Sequence, residues 1–202
     1  LQLRGKFDLG EERQLNYAIF VSNGLEQVDD DLTDGLVPEG GDIRDLRRND
    51  RDGADNDKAI GGRLGAIPIR GLNIGASAYT GAYTVDGEQR LTMFDVDASL
   101  EVTKLTFCIE AALALQEVAA DVLNKWGGYF VGSYRLVPWL QPYVMLEMVS
   151  LDGAKSNRGV GGIALYPFPD ESKSQRLKLE AGAVDTGGKT DFIWIAQYTL
   201  GF

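Results

Sequence analysis

The chain has 202 residues, 44% of them hydrophobic and 25% charged, with one cysteine, no histidine, and 20 basic against 30 acidic residues for a formal charge of -10. The absence of histidine removes Ser/His/Asp and Cys/His triads, and Cys108 alone supports neither an intramolecular disulfide nor the usual nitrogen- and sulfur-rich zinc site; an enzyme would have to run on lysine or on carboxylate pairs such as Asp95 and Asp97, which read as lumen charge, so no enzymatic activity and no cofactor are expected. Scattered lysines and arginines on an acidic chain give no footprint for a polyphosphate, and no nucleic-acid partner is expected.

No window approaches the roughly 20 uninterrupted apolar residues of a membrane-spanning helix. That says nothing of transmembrane strands, which need about 9 to 11 residues with every second side chain apolar. Apolar residues recur at spacing two in nearly every segment between turn signals. Leu1, Leu3 and Phe7 alternate with Gln2, Arg4, Lys6 and Asp8; Leu15, Tyr17, Ile19 and Val21 alternate with Asn16, Ala18 and Ser22. Leu72, Ile74, Ala76 and Ala78 follow the same rule, and so do Phe94, Val96, Ala98 and Leu100. At the end, Leu177, Leu179, Ala181 and Ala183 oppose Lys178, Glu180 and Gly182, and Phe192, Trp194, Ala196, Tyr198, Leu200 and Phe202 oppose Ile193, Ile195, Gln197, Thr199 and Gly201. The alternation predicts an all-β chain of about eleven strands, at 1–8, 14–23, 58–68, 72–83, 91–102, 105–116, 125–136, 140–150, 158–167, 175–184 and 191–202.

The predicted connections alternate in length. Short ones fall at 9–13, 69–71, 103–104 and 137–139, and longer or more polar ones at 24–57, 84–90, 117–124, 151–157 and 185–190; 168–174 departs from the rule. Short turns on one side and long loops on the other are how outer-membrane barrels are built. One segment also carries a helical pattern, since Ala111, Leu115, Val118, Val122 and Trp126 form a stripe at helical spacing. Leu105, Phe107, Ile109, Ala111 and Leu113 alternate as well, so 105–116 is predicted as a strand with a helical turn allowed after it.

The last strand ends on Phe202, and no charge or proline interrupts it after Phe192. A soluble edge strand with such an aromatic row would normally be blunted. The pattern resembles the C-terminal assembly signal of bacterial outer-membrane proteins, which implies a role for Trp194, Tyr198, Leu200 and Phe202 in recognition by the barrel-insertion machinery. The stretch LQPYVMLEMVSLDG from Leu140, the glycine-rich strand closing on Tyr166 and Pro167, the strand QRLKLEAGAV and the final aromatic strand together resemble the C-terminal third of porins of the phosphate-selective O/P type and related general porins. The resemblance implies an antiparallel transmembrane β-barrel in the bacterial outer membrane, a C-terminus on the periplasmic side, contact with outer-membrane lipid, a homotrimer, and diffusion of ions and small polar solutes. Bacterial single-chain barrels have even strand numbers, whereas eleven is odd and the chain begins within a strand. Residues 1–202 are therefore expected to be one barrel domain, the C-terminal portion of a larger barrel of sixteen strands by analogy.

In such a barrel the alternating polar residues face the lumen. The expected pore-lining set is Arg4, Lys6, Arg63, Asp95, Asp97, Glu101, Glu110, Lys125, Arg135, Glu147, Arg158, Arg176, Lys178 and Glu180, nearly balanced in sign and with no continuous arginine and lysine ladder. Most of the net charge lies elsewhere: segment 24–57 holds twelve acids and four arginines, a charge of -8, and is expected to be a long acidic extracellular or constriction loop. Within it Asp50, Asp52, Asp55 and Asp57 offer oxygen ligands of the kind calcium prefers, although their spacing about Gly53 is not that of an EF-hand, so calcium and a solvated acidic loop remain alternatives. Two other functions fit an all-β chain: a soluble ligand-binding module, whose core would be the aromatic and aliphatic face, and a structural barrel docked to a partner protein.

Overall fold

The computed structural model describes residues 1–10, 12–23, 58–84, 87–118, 121–167 and 175–200. These form eleven strands: β1 (Gln2–Gly10), β2 (Arg13–Asn23), β3 (Lys58–Ile69), β4 (Leu72–Ala82), β5 (Arg90–Val102), β6 (Leu105–Val118), β7 (Asp121–Tyr134), β8 (Leu140–Leu151), β9 (Ala154–Leu165), β10 (Gln175–Thr186) and β11 (Lys189–Leu200). They make one sheet in sequence order, every neighbouring pair antiparallel. Among the described residues β1 and β11 are the two edges, and the sheet does not close on itself.

The fold class is the one the alternation predicts, and the strand positions agree closely. The loop lengths do not. Two of the connections expected to be longer or more polar are tight turns, Asp152 and Gly153 joining β8 to β9 and Gly187 and Gly188 joining β10 to β11, and β6 runs on to Val118, which pairs with Asp121 of β7. Asp152 (φ 48°), Gly153 (φ 89°), Gly187 (φ 60°) and Gly188 (φ 87°) are left-handed, the geometry that matches a two-residue turn to the twist of its strands. The strands run on into polar residues at this end, where Ser156 pairs with Thr186 and Asn157 with Asp185. The helical turn allowed after 116 is also corrected, because β6 and β7 pair through Leu115↔Asn124 and Gln116↔Leu123 and no helix occurs among the described residues. Backbone pairing along the whole of two strands outweighs the modest helical propensity of alanine and leucine. Segments 24–57 and 168–174 and residue Phe202 lie outside the described residues.

Cross-strand partners share a face, so the ladder divides the side chains into two sets. One set is apolar throughout its middle. The row Phe7, Leu15, Ala66, Ile74, Ala98, Ile109, Phe130, Leu146, Gly159, Ala183 and Phe192 crosses all eleven strands without a polar residue. Nothing covers this face among the described residues: Leu64 is 70% exposed, Leu146 55% and Trp194 83%. Polar residues enter it at one end, where Asn124, Ser150, Lys155, Asn157 and Asp185 lie beyond the apolar band. A soluble sandwich or lipocalin-like barrel would bury its apolar face in a core. Here the larger apolar residues of that face are exposed, and the buried side chains are few among the described residues: Tyr83, Leu91 and Ala114 cluster on the other face, with Met93 beside them.

Candidate functional site

The second face carries the charges. One row of successive partners reads Lys6, Asn16, Gly65, Gly75, Asp97, Glu110, Tyr129, Glu147, Arg158, Val184 and Asp191, a belt across the full width of the sheet. The neighbouring row on the same face holds Arg4, Ala18, Arg63, Ser77 and Asp95. Strands lie about 4.8 Å apart, so direct partners in the belt are within reach of one another's fields.

Arg63 crosses between the two rows. Its Nη2 donates to Asp97 Oδ2 at 2.9 Å, and its Nη1 lies 2.5 Å from Asp97 Oδ1 and 3.9 Å from Asp95 Oδ1. This two-point grip is the arrangement a planar guanidinium makes with a carboxylate. Arg63 stands on β3 and Asp97 on β5, so the side chain passes over β4, where Gly75 offers no side chain to block it. A Cβ at Gly75 would collide with Arg63 Nη2 and come within 2.8 Å of Asp97 Oδ1. Ser77 donates to Asp95 Oδ1 at 3.2 Å, while Asp95 Oδ2 is enclosed and accepts no hydrogen bond among the described residues. On the far side of Asp97, Tyr129 donates to Glu110 Oε2 at 2.8 Å. Glu147 and Arg158 then stand as direct cross-strand partners.

A second cluster lies nearer the other end of β8 to β10. Lys178 Nζ is 2.8 Å from Glu180 Oε1 and 5.0 Å from the centre of the Tyr143 ring, and the Tyr143 hydroxyl donates to Glu180. The Tyr143 ring occupies the space above Gly162, its direct partner, as Arg63 uses the space above Gly75. Lys125 is buried at 3% exposure and donates to Gln116 Oε1 at 2.7 Å.

The thirteen strand residues of the expected lining set therefore share one face: Arg4, Lys6, Arg63, Asp95, Asp97, Glu101, Glu110, Lys125, Glu147, Arg158, Arg176, Lys178 and Glu180. Arg135 lies just past the end of β7, where it donates to Gln141 Oε1 at 3.3 Å and stacks 5.4 Å from the Tyr166 ring. Of the expected assembly residues, Trp194 and Tyr198 stand on the apolar face and the backbone of Leu200 pairs with Gln175. Asp50, Asp52, Asp55 and Asp57 lie outside the described residues. A search of the sequence for charge alone misses Tyr129, Tyr143 and the glycine seats, although both tyrosines alternate with apolar Phe130 and Val144 and so share the charged face. It also misses an apolar row beside the belt, in which Val131, Met145, Val160, Gly182 and Ile193 follow one another and Val160 is only 2% exposed.

An uncovered apolar face and a charged face on one antiparallel sheet, strand after strand, describe the wall of a transmembrane barrel. Comparison with solved structures agrees. The chain is similar to the outer-membrane protein OmpT of Vibrio cholerae in three forms: a loop L8 deletion mutant (TM-score 0.59, 12% identity, 98% of this chain and 62% of that one), the protein expressed in the outer membrane (0.55, 12%, 92% and 54%) and the protein folded in vitro (0.55, 11%, 99% and 59%). The fold is that of an outer-membrane β-barrel. The chain spans between 54% and 62% of the length of these structures, and at such low identity the likeness concerns the fold. No family model and no curated protein matches the chain. The outer-membrane barrel class expected from the sequence is thus reached, without its phosphate-selective branch.

The expectation that the chain is no enzyme is corrected by this match. These structures are outer-membrane proteins, and a fold shared at 11–12% identity leaves catalysis open. The sequence leaves carboxylate chemistry open, with Asp95 and Asp97 read as lumen charge; the charged face brings these carboxylates together with Arg63.

Proposed function

We propose that this chain forms part of the wall of a water-filled outer-membrane channel through which ions and small polar solutes diffuse. The observation that supports this most directly is the division of the faces: the larger apolar side chains meet the exterior and the charged ones lie together on the opposite side, on all parts of an eleven-stranded sheet. A hydrated lumen also accounts for side chains such as Arg63, Asp95 and Asp97, which pair across strands yet keep part of their surface exposed. The reading places the protein in the bacterial outer membrane, its C-terminal strand at the periplasmic end and engaged by the insertion machinery, with a homotrimer as the assembly.

The polar face mixes signs along the belt, with Asp97, Glu110 and Glu147 between Arg63 and Arg158. That pattern favours general diffusion over an anion-specific channel of the O/P type. Recording from the protein carrying this chain in planar bilayers tests the proposal. Stepwise, steady conductance in potassium chloride is expected, and a protein that inserts without conducting would overturn it.

A further inference from the structure

We propose that Arg63 sets the ion selectivity of the channel wall by cancelling part of an acidic field, and that Gly75 is the seat from which it does so. This rests on the channel reading above. Three carboxylates, Asp95, Asp97 and Glu110, lie together around one guanidinium, so the patch keeps an excess of negative charge even with Arg63 in place. The structure does not put Arg63 there by default. Its own strand is separated from that of Asp97 by β4, and a side chain at the intervening position would occupy the path. Glycine at 75 lets a long cation lie across the sheet and grip Asp97 with both terminal nitrogens instead of extending into the lumen. Arg63 thus acts on the passing ion through the carboxylates it neutralises.

The chemical class favoured is therefore cationic: monovalent metal ions and small amines over anions of the same size. Arg63 remains 38% exposed and Asp95 and Asp97 about a quarter, so their fields reach the water beside them and are only partly screened.

The test is the reversal potential of single channels in a potassium chloride gradient, measured on the protein carrying this chain and on variants. Arg63→Gln is expected to raise the potassium-to-chloride permeability ratio about twofold or more, the scale of one unit charge acting through water over several ångströms. Asp97→Asn is expected to move it the other way. Arg63→Lys, which keeps the charge, should hold the ratio near the parent value, a result that loss of packing alone would not give. Lys189→Gln, at the exposed β10–β11 turn, serves as a charge-matched control and should leave it unchanged. Where Arg63→Gln fails to assemble, Asp97→Asn decides by the sign of its shift. Conducting Arg63→Gln channels with an unaltered ratio, or one moved towards chloride, would overturn the proposal while leaving the channel reading standing; a parent protein that inserts without conducting would overturn both.

Discussion

Asp97 and Glu110 are direct cross-strand partners, two carboxylates facing one another on the charged side of β5 and β6. Like charges in this position oppose pairing. The neighbours offset the cost from both flanks, Arg63 gripping Asp97 and the Tyr129 hydroxyl donating to Glu110. Glu110→Gln removes the repulsion and keeps an oxygen for Tyr129. It is expected to stabilise the folded barrel by about 0.5 kcal/mol, read as a higher midpoint of unfolding in detergent. A lower midpoint would mean that Glu110 has a favourable role that Tyr129 and Asp97 do not explain.

Tyr143 and Glu180 give the opposite case. Glu180 is 8% exposed and holds both Lys178 and the Tyr143 hydroxyl. Tyr143→Phe leaves the carboxylate with one partner fewer in a confined site, at an expected cost of about 1 to 2 kcal/mol. Lys178 should then carry more of the interaction, so Tyr143→Phe and Lys178→Met together should cost more than the sum of the two alone; strict additivity in denaturant titrations would refute the coupling.

Glycines of the sheet differ sharply in the room around them. A Cβ at Gly182 would run into the Gly159 carbonyl and stand 2.9 Å from Val160 Cα, while one at Gly161 would meet nothing within 4 Å. Gly182→Ala is expected to destabilise by about 1 to 3 kcal/mol, because backbone rather than a mobile side chain must yield. Gly161→Ala should be close to neutral. Equal melting temperatures for the two variants would count against the register of β9 and β10.

Leu146 and Glu147 are chain neighbours on opposite faces of β8. Leu146→Arg places a charge in the middle of the apolar band and is expected to cost about 2 to 4 kcal/mol in a lipid bilayer. Glu147→Gln changes only the charged side and should assemble normally. The comparison is made by the fraction of each variant that folds in lipid vesicles, judged by its heat-modifiable mobility in gels; efficient folding of Leu146→Arg would contradict a lipid-facing role for that side.

Much of the fold was readable because period-two alternation is a direct consequence of strand geometry, and the runs from Leu1 to Asp8 and from Leu177 to Ala183 declare both faces. The strand ends were not readable from alternation. Beyond the apolar band both faces are polar, as at Lys155 to Asn157, and a ladder needs only backbone groups to continue there. The cue that remained was the Asp152–Gly153 and Gly187–Gly188 dipeptides, which are hairpin signals in their own right. The charged face was legible for the same reason as the apolar one. The belt was not, since which residue of β5 stands beside which residue of β6 depends on register, and a sequence carries no register until its turns are fixed. Gly75 illustrates the limit: its value lies in the emptiness between Arg63 and Asp97, residues more than thirty positions apart.

Eleven strands in unbroken antiparallel order leave β1 and β11 pointing the same way. Joined directly, those edges would meet in a parallel seam, with slanted hydrogen bonds unlike those of the other ten ladders. For barrel engineering the wall therefore behaves as a module of fixed polarity: it can be closed without a parallel seam only by a patch containing an odd number of strands.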